Sequence, residues 1–271
     1  MGYFSISKNK NSMLGKISRL LQLFKMYGTG AFRLIFNPLL GKEAWLMYEG
    51  EKIWLNFDKS TYYHLLHSTD KLKKLVEAIP ATSEGVIIDG GANHGIFSLL
   101  AARRFPEKTI YAVEPYGKVL PFLKKNVQGK NVKIIEKALA AEDGEVAFFT
   151  SEVSDQMGSV IRENVREFIS ERDIIREERI PAVSLSSLVK QEGISKIAAL
   201  KLDVQGAEFG ILQDADEVLG MTDVLLLEVT LVEKSSIDLL EKARKFFPFY
   251  KIVNPIIYGA DILFAKRPFT S

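Results

Sequence analysis

The stretch Val86-Ile87-Ile88-Asp89-Gly90-Gly91-Ala92-Asn93-His94-Gly95 decides the fold. A short apolar run ends in an aspartate and two glycines, and a helical stretch follows from Ile96 to Arg104. Outward from there the pattern repeats. Thr109 to Val113 is a second apolar run, followed by helical sequence over Lys118 to Asn126, and Val132 to Ile135 is a third run. Ala198 to Leu202, Val224 to Leu227 and Ile262 to Ala265 read as later strands, with helices over Ala207 to Gln213 and Lys234 to Phe246. Apolar strands alternating with helices are βαβ units, so an α/β domain is expected, with a mostly parallel sheet covered on both faces. Right-handed crossovers make that sheet doubly wound.

The expected organisation is an N-terminal extension over residues 1–80 and a ligand-binding domain over residues 81–271. Within the extension, Ser12 is a helix cap, and Leu14, Ile17, Leu20, Leu21 and Phe24 follow at helical spacing. Lys16, Arg19, Gln22 and Lys25 face the other way. Such a basic amphipathic helix packs on the body or a second subunit, or lies on an anionic membrane surface through residues 12–27. Ala44 to Tyr48 and Lys52 to Phe57 alternate around Glu49-Gly50-Glu51 and read as a hairpin. Lys59 to His67 and Asp70 to Ala78 read as two helices. Further on, Ser151 to Arg179 is polar and charged, and is expected to be a solvated helix inserted between sheet units.

Composition narrows the chemistry. The chain has 271 residues, enough for one large α/β domain with a sizeable core. Its formal net charge of +2 gives no support to a nucleic-acid partner. Without cysteine there are no disulfides, thiolate metal sites or cysteine nucleophiles. With three histidines a histidine-rich metal centre is not expected, and His64 and His67, at helical spacing, read as surface or packing residues. No apolar run reaches the ~18 residues of a membrane helix. Charges interrupt the apolar run after Lys8 and Lys10, so no signal peptide is read, and Ile6 stands where a myristoylation motif wants Ser or Thr. A cytoplasmic protein is expected, with peripheral membrane contact as the alternative.

The glycine loop stands at the carboxyl end of its strand, where open α/β sheets bind ligands. Glycines let backbone approach a ligand, and the following helix offers free N–H groups and a positive dipole. The next strand ends in Ala112-Val113-Glu114-Pro115. Glu114 is therefore placed to accept hydrogen bonds from both hydroxyls of a ribose. Gly90, Gly91 and Gly95 do not match the dinucleotide spacing G-x-G-x-x-G. Asp89 would also repel a pyrophosphate. S-adenosylmethionine carries no phosphate: its ammonium suits Asp89, and its carboxylate suits backbone N–H groups.

These stretches resemble the FkbM-type methyltransferases, within class I of the S-adenosylmethionine-dependent enzymes. Asp89 to Gly95 is similar to the family's D-x-G-A-N-x-G loop, and Ala112 to Pro115 to its ribose-binding strand end. Leu200-Lys201-Leu202-Asp203-Val204-Gln205-Gly206-Ala207-Glu208 resembles its K-x-D-V-E-G-A-E signature, with Val183 to Leu188 before it and Leu226-Leu227-Glu228-Val229 after it. Gln205 departs from the family's glutamate but keeps its shape and an acceptor oxygen. The likeness runs from about Pro80 to Lys266. It implies seven strands with the last antiparallel, and methyl transfer to a hydroxyl of a sugar, a glycan or another small molecule such as a secondary metabolite.

Cofactor contacts are then expected from Asp89, Gly90, Gly91, Asn93, His94, Gly95, Glu114, Pro115, Ala138, Leu139 and Asp203. Catalytic work falls to Asp203, Glu208 and Glu228, because a hydroxyl acceptor must lose a proton to a base within hydrogen-bond reach. Two other classes compete: a nicotinamide-dependent oxidoreductase, and a degenerate methyltransferase acting as a scaffold, which Gln205 and the basic helix motivate.

Overall fold

A computed structural model describes residues 43–56, 61–151, 158–162, 165, 174–230, 234–256 and 259–269. The helix expected over residues 12–27 lies outside them, as do the side chains of His64 and His67.

Strands β1 (Glu43–Tyr48) and β2 (Glu51–Asn56) form the expected antiparallel hairpin. Its turn residues Glu49 and Gly50 have φ 53° and 82°, the left-handed pair that matches strand twist in a two-residue turn. One helix follows, α1 (Thr61–Glu77), where two were expected. Ser68-Thr69-Asp70 reads as a cap, but Thr69 is buried and the helix runs through it. Leu72, Leu75 and Val76 give that helix an apolar stripe beyond the expected break, which outweighs the local stop.

The main sheet has seven strands in the order β11-β12-β10-β9-β3-β4-β5. They are β3 (Val86–Gly90), β4 (Ile110–Val113), β5 (Val132–Ile135), β9 (Ile197–Leu202), β10 (Thr222–Thr230), β11 (Phe249–Ile256) and β12 (Gly259–Ala265). The pairs β4–β5, β3–β4, β3–β9 and β9–β10 are parallel, while β12 is antiparallel to both β10 and β11. The helices are α2 (Ile96–Arg104), α3 (Leu120–Asn126), α4 (Leu185–Gln191), α5 (Glu208–Gln213), α6 (Asp216–Met221) and α7 (Lys234–Phe246). The fold is thus a doubly wound α/β sheet whose last strand is reversed.

Both faces are covered, and the strand sequences show why. Successive strand residues point to opposite faces. Ile87, Ala199, Leu226 and Leu263 join one buried cluster, with Phe97, Leu99 and Leu100 of α2 and Leu72, Leu75 and Val76 of α1. Their chain neighbours Ile88, Leu200, Leu225, Leu227, Ile262 and Phe264 join the other, with Leu212, Val218 and Phe247. Tyr48, Ile53 and Leu55 of the hairpin belong to the first cluster, so the described part of the extension shares the core of the domain.

A second, three-stranded sheet stands in the order β6-β8-β7, made of β6 (Ala138–Leu139), β8 (Ile175–Val183) and β7 (Gly144–Ser151). The solvated helix expected over Ser151 to Arg179 is corrected at its end, where Ile175 to Arg179 is strand; residues 152–157, 163–164 and 166–173 lie outside the described residues. Five of the nine β8 residues are exposed, which gives the segment its charge, and pairing with β7 from Ile175 to Ala182 holds it extended.

Candidate active site

Four strand ends build the site. β3 delivers Asp89 into the protein, fully buried. Ser98 Oγ donates to it at 2.6 Å and Lys201 Nζ, itself buried on β9, at 2.9 Å. Lys201 also donates to the carbonyls of Gly90 and Gly91 at 3.3 and 3.2 Å. Burial alone would lower the Lys201 pKa, but the charges of Asp89 and Asp203 outweigh it and raise it. Asp89 was expected to meet the cofactor's ammonium. Its carboxylate instead faces Lys201 and Ser98, so it holds the glycine loop from beneath. The reason is burial: a carboxylate out of water takes the nearest cation, and the chain supplies one.

The loop above is shaped by backbone. Gly91 (φ 72°) packs so close to β9 that a Cβ there would stand 2.0 Å from the Asp203 carbonyl oxygen. The N–H groups of Gly91 and Ala92 both donate to the Val113 carbonyl, which folds the loop onto the end of β4. Gly95 (φ 77°) caps α2, where a Cβ would meet Leu123 at 2.3 Å. Asn93 (φ 52°) presents its N–H to Glu114 Oε2 at 2.8 Å. Tyr116 N–H donates to Glu114 Oε1 at 2.8 Å. Burial pushes the Glu114 carboxyl up to about 7 against the pull of these two bonds. Loop and ribose-binding candidate are thereby joined by a direct hydrogen bond. Pro115 follows, half-buried.

His94 is buried, with its Nδ1 against Asn93 Oδ1 and its ring 5.6 Å from that of Phe122. Its carbonyl accepts from Asn126 Nδ2 at 2.7 Å. Asn126 also donates to the Trp54 carbonyl (2.9 Å) and accepts the Trp54 N–H (2.6 Å). One amide thus ties the hairpin to the loop. Ala138 and Leu139 are buried as well, paired with Ala182 and Val183 of β8.

The third and fourth strand ends carry the acidic residues. Asp203 follows β9 with its side chain 23% exposed, and Glu228 on β10 is 26% exposed. Gln205 Nε2 donates to Asp203 Oδ1 at 3.2 Å, so the residue that departs from the family pattern braces the aspartate beside it. Gln205 itself is left-handed (φ 57°), and its carbonyl accepts from Ser159 Oγ at 2.9 Å. Glu208 is buried and turns back on this bend: its Oε1 accepts the Val204 N–H at 2.9 Å. Burial pushes Glu208 up to about 7. Glu208 was expected among the catalytic residues; its carboxylate here binds the Val204 N–H and shapes the Asp203 to Gly206 turn.

Two residues that sequence reasoning missed complete this cluster. Lys71 Nζ, from α1, lies 2.8 Å from Asp261 Oδ1, 2.9 Å from Glu228 Oε2 and 3.8 Å from Asp203 Oδ2. Asp261 is the β12 partner of Glu228 across the antiparallel pair. The charge of Asp203 is the first cause pushing Glu228 up to about 7, with burial and Asp261 adding and Lys71 opposing. An aspartate inside the apolar run Gly259 to Ala265 was a readable signal for Asp261. Lys71 sits in Asp70-Lys71-Leu72-Lys73-Lys74, where nothing local sets it apart from its neighbours.

Residues 89–249 match the family model described as Methyltransferase FkbM domain. Methyltransferase 1 of Beauveria bassiana is 25% identical over 192 residues, covering 62% of this chain and 76% of that protein. Methyltransferase sdnD of Sordaria araneosa is 27% identical over 163 residues, covering 50% of this chain and 62% of that protein. The AMB antimetabolite synthetase AmbE of Pseudomonas aeruginosa is 25% identical over 223 residues, 69% of this chain but 10% of that much longer protein. Among solved structures, a SAM Dependent Methyltransferase from Agrobacterium tumefaciens is 12% identical, with a TM-score of 0.47 over 84% of this chain and 71% of that one. Among the described residues no helix is long and apolar enough to cross a membrane.

Proposed function

The chain belongs to the FkbM methyltransferase family, with S-adenosylmethionine as methyl donor, and from that premise we propose that it methylates a hydroxyl of a sugar, a glycan or a secondary metabolite. Family membership displaces the nicotinamide-dependent reading of the glycine loop. The bound cofactor supplies an electrophilic methyl group on a sulfonium.

The residues present fit that cofactor. Each Glu114 oxygen accepts one backbone N–H, and a carboxylate oxygen has capacity for two bonds. Both oxygens therefore keep room for one ribose hydroxyl. Nothing stands within 4 Å of a Cβ built on Gly117, so the backbone just beyond Glu114 is open. With Asp89 committed to Lys201, the carboxylate left to attract the cofactor's ammonium beside the loop is Asp203.

One arrangement carries the proposal: Glu114 ends β4 while Asp203 and Glu228 stand at the ends of β9 and β10, on the same edge of one parallel sheet. A nucleoside held at Glu114 and an acceptor held at Glu228 meet over Asp203. Glu228 is the base we assign, because a carboxyl pushed up to about 7 takes an acceptor proton readily at neutral pH.

The test is in two parts. S-adenosylhomocysteine at a hundred times its Kd should stabilise the wild type by about 2.7 kcal/mol, and Glu114→Gln far less. With S-adenosylmethionine and a panel of hydroxylated sugars and metabolites, Glu228→Gln should lose about 10²-fold in turnover while binding S-adenosylhomocysteine normally. Absence of S-adenosylhomocysteine binding in the wild type would overturn the cofactor assignment. Binding with no transfer to any acceptor would favour the scaffold.

A further inference from the structure

We propose that Lys71 is a positioning residue of the methyl-transfer site, reaching from the helix ahead of the sheet to orient the Glu228 carboxylate and to govern how it takes the acceptor's proton. This rests on the reading of Glu228 as the base. Neither Lys71 nor its deepest partner, Asp261, lies within the residues 89–249 that carry the family likeness.

The geometry is specific. Three carboxylates from three segments converge on one ammonium: Asp203 from the turn after β9, Glu228 from β10 and Asp261 from β12. The Lys71 side chain is 13% exposed, and that of Asp261 is 3% exposed. Glu228 is the most open of the four at 26%. Lys71 therefore pairs inward with Asp261 and outward with Glu228 Oε2, at nearly equal distances. An ammonium held between two carboxylates fixes the outer one in a single orientation, and its fixed charge acts on that carboxylate at 2.9 Å. Without Lys71, three carboxylates would face one another across the same few ångströms, and repulsion would drive Glu228 to hold a proton. A protonated base cannot accept another. Of the remaining described cations, Lys201 approaches the cluster only at Asp203, at 4.0 Å. Among the described residues, Lys71 is therefore the cation in direct contact with Glu228.

The placement also explains a design feature of the chain. The inner partner belongs to the antiparallel strand at the far end of the sequence, and the cation to the helix before the first sheet strand. Segments from both sides of the signature region must dock before Glu228 is oriented.

The test reads Glu228 directly and needs no acceptor. Full-length protein is labelled with 13C at glutamate carboxyls and titrated by NMR with S-adenosylhomocysteine bound; Glu228→Gln identifies the resonance. Lys71→Met should move the Glu228 midpoint upward by about one pH unit or more. Asp261→Asn should move it downward, and Lys71→Arg should return it most of the way to wild type. Opposite shifts from two variants that both break the same ion pair separate positioning from plain stabilisation, since loss of stability has one sign. If Lys71→Met fails to fold, Asp261→Asn and Lys71→Arg still decide the matter. A Glu228 midpoint unmoved by Lys71→Met, or by Asp261→Asn where Lys71→Met does not fold, overturns the proposal. Loss of S-adenosylhomocysteine binding by the wild type would sink the cofactor assignment instead.

Discussion

Glu114 accepts two backbone N–H groups, and burial pushes its carboxyl up to about 7. On the proposed assignment ribose hydroxyls donate to the ionised form, so cofactor affinity should weaken as pH falls through that value. Between pH 8 and pH 6 the Kd for S-adenosylhomocysteine should rise by about tenfold in calorimetry, and Glu114→Gln should flatten the profile. A flat wild-type profile would mean that the ribose is held elsewhere. At this scale the sequence was legible where an acidic residue ends an apolar run: Asp89, Glu114, Asp203 and Glu228 all stand so. What each carboxylate faces was not legible. Asp89 meets a lysine 112 positions away and Glu228 one 157 positions away. Such partners are chosen by the sheet's packing, which no local spacing encodes.

Among the elements, one side chain ties the hairpin to the glycine loop. Asn126 on α3 satisfies both backbone groups of Trp54 and the carbonyl of His94. Asn126→Ala would leave those groups unpaired in a largely buried place, costing about 1–3 kcal/mol for each one that water cannot reach. Urea denaturation should show a loss of that order. Asn126→Asp should cost as much, because it keeps the shape and loses both donations; an Asp variant as stable as wild type would show that shape alone matters. Six of the seven main-sheet strands were readable because burial on both faces demands unbroken apolar runs, whereas the edge strand β11, with Phe249, Tyr250 and Ile252 exposed, was not. β8 was not, since its exposed residues carry charge and its pairing with β7 comes from outside the segment. Nor was the continuity of α1, where a cap-like triplet is overridden by apolar packing along the helix.

For the molecule as a whole, three buried or half-buried glutamates dominate the pH response. Glu114, Glu208 and Glu228 are each raised from the ordinary 4.5 to about 7. Between those values the folded protein keeps protons that the unfolded chain has released. The stability they confer is complete below about pH 4.5 and is lost as pH rises through 7. Each pH unit in that window is worth about 1.4 kcal/mol per group. The ligand-free protein should therefore melt lower at pH 7.5 than at pH 5.5, by about 5 °C or more in differential scanning calorimetry. Glu208→Gln should shrink the gap, and a melting temperature that climbs with pH would refute the account.

The ammonium of Lys71 has a practical corollary. Trimming the polypeptide to its recognisable signature, residues 89–249, would begin inside β3 and discard β12. Such a fragment would amputate both the cation and the buried aspartate that frame Glu228. The smallest working unit of this enzyme is thus longer than the span by which its kin are recognised.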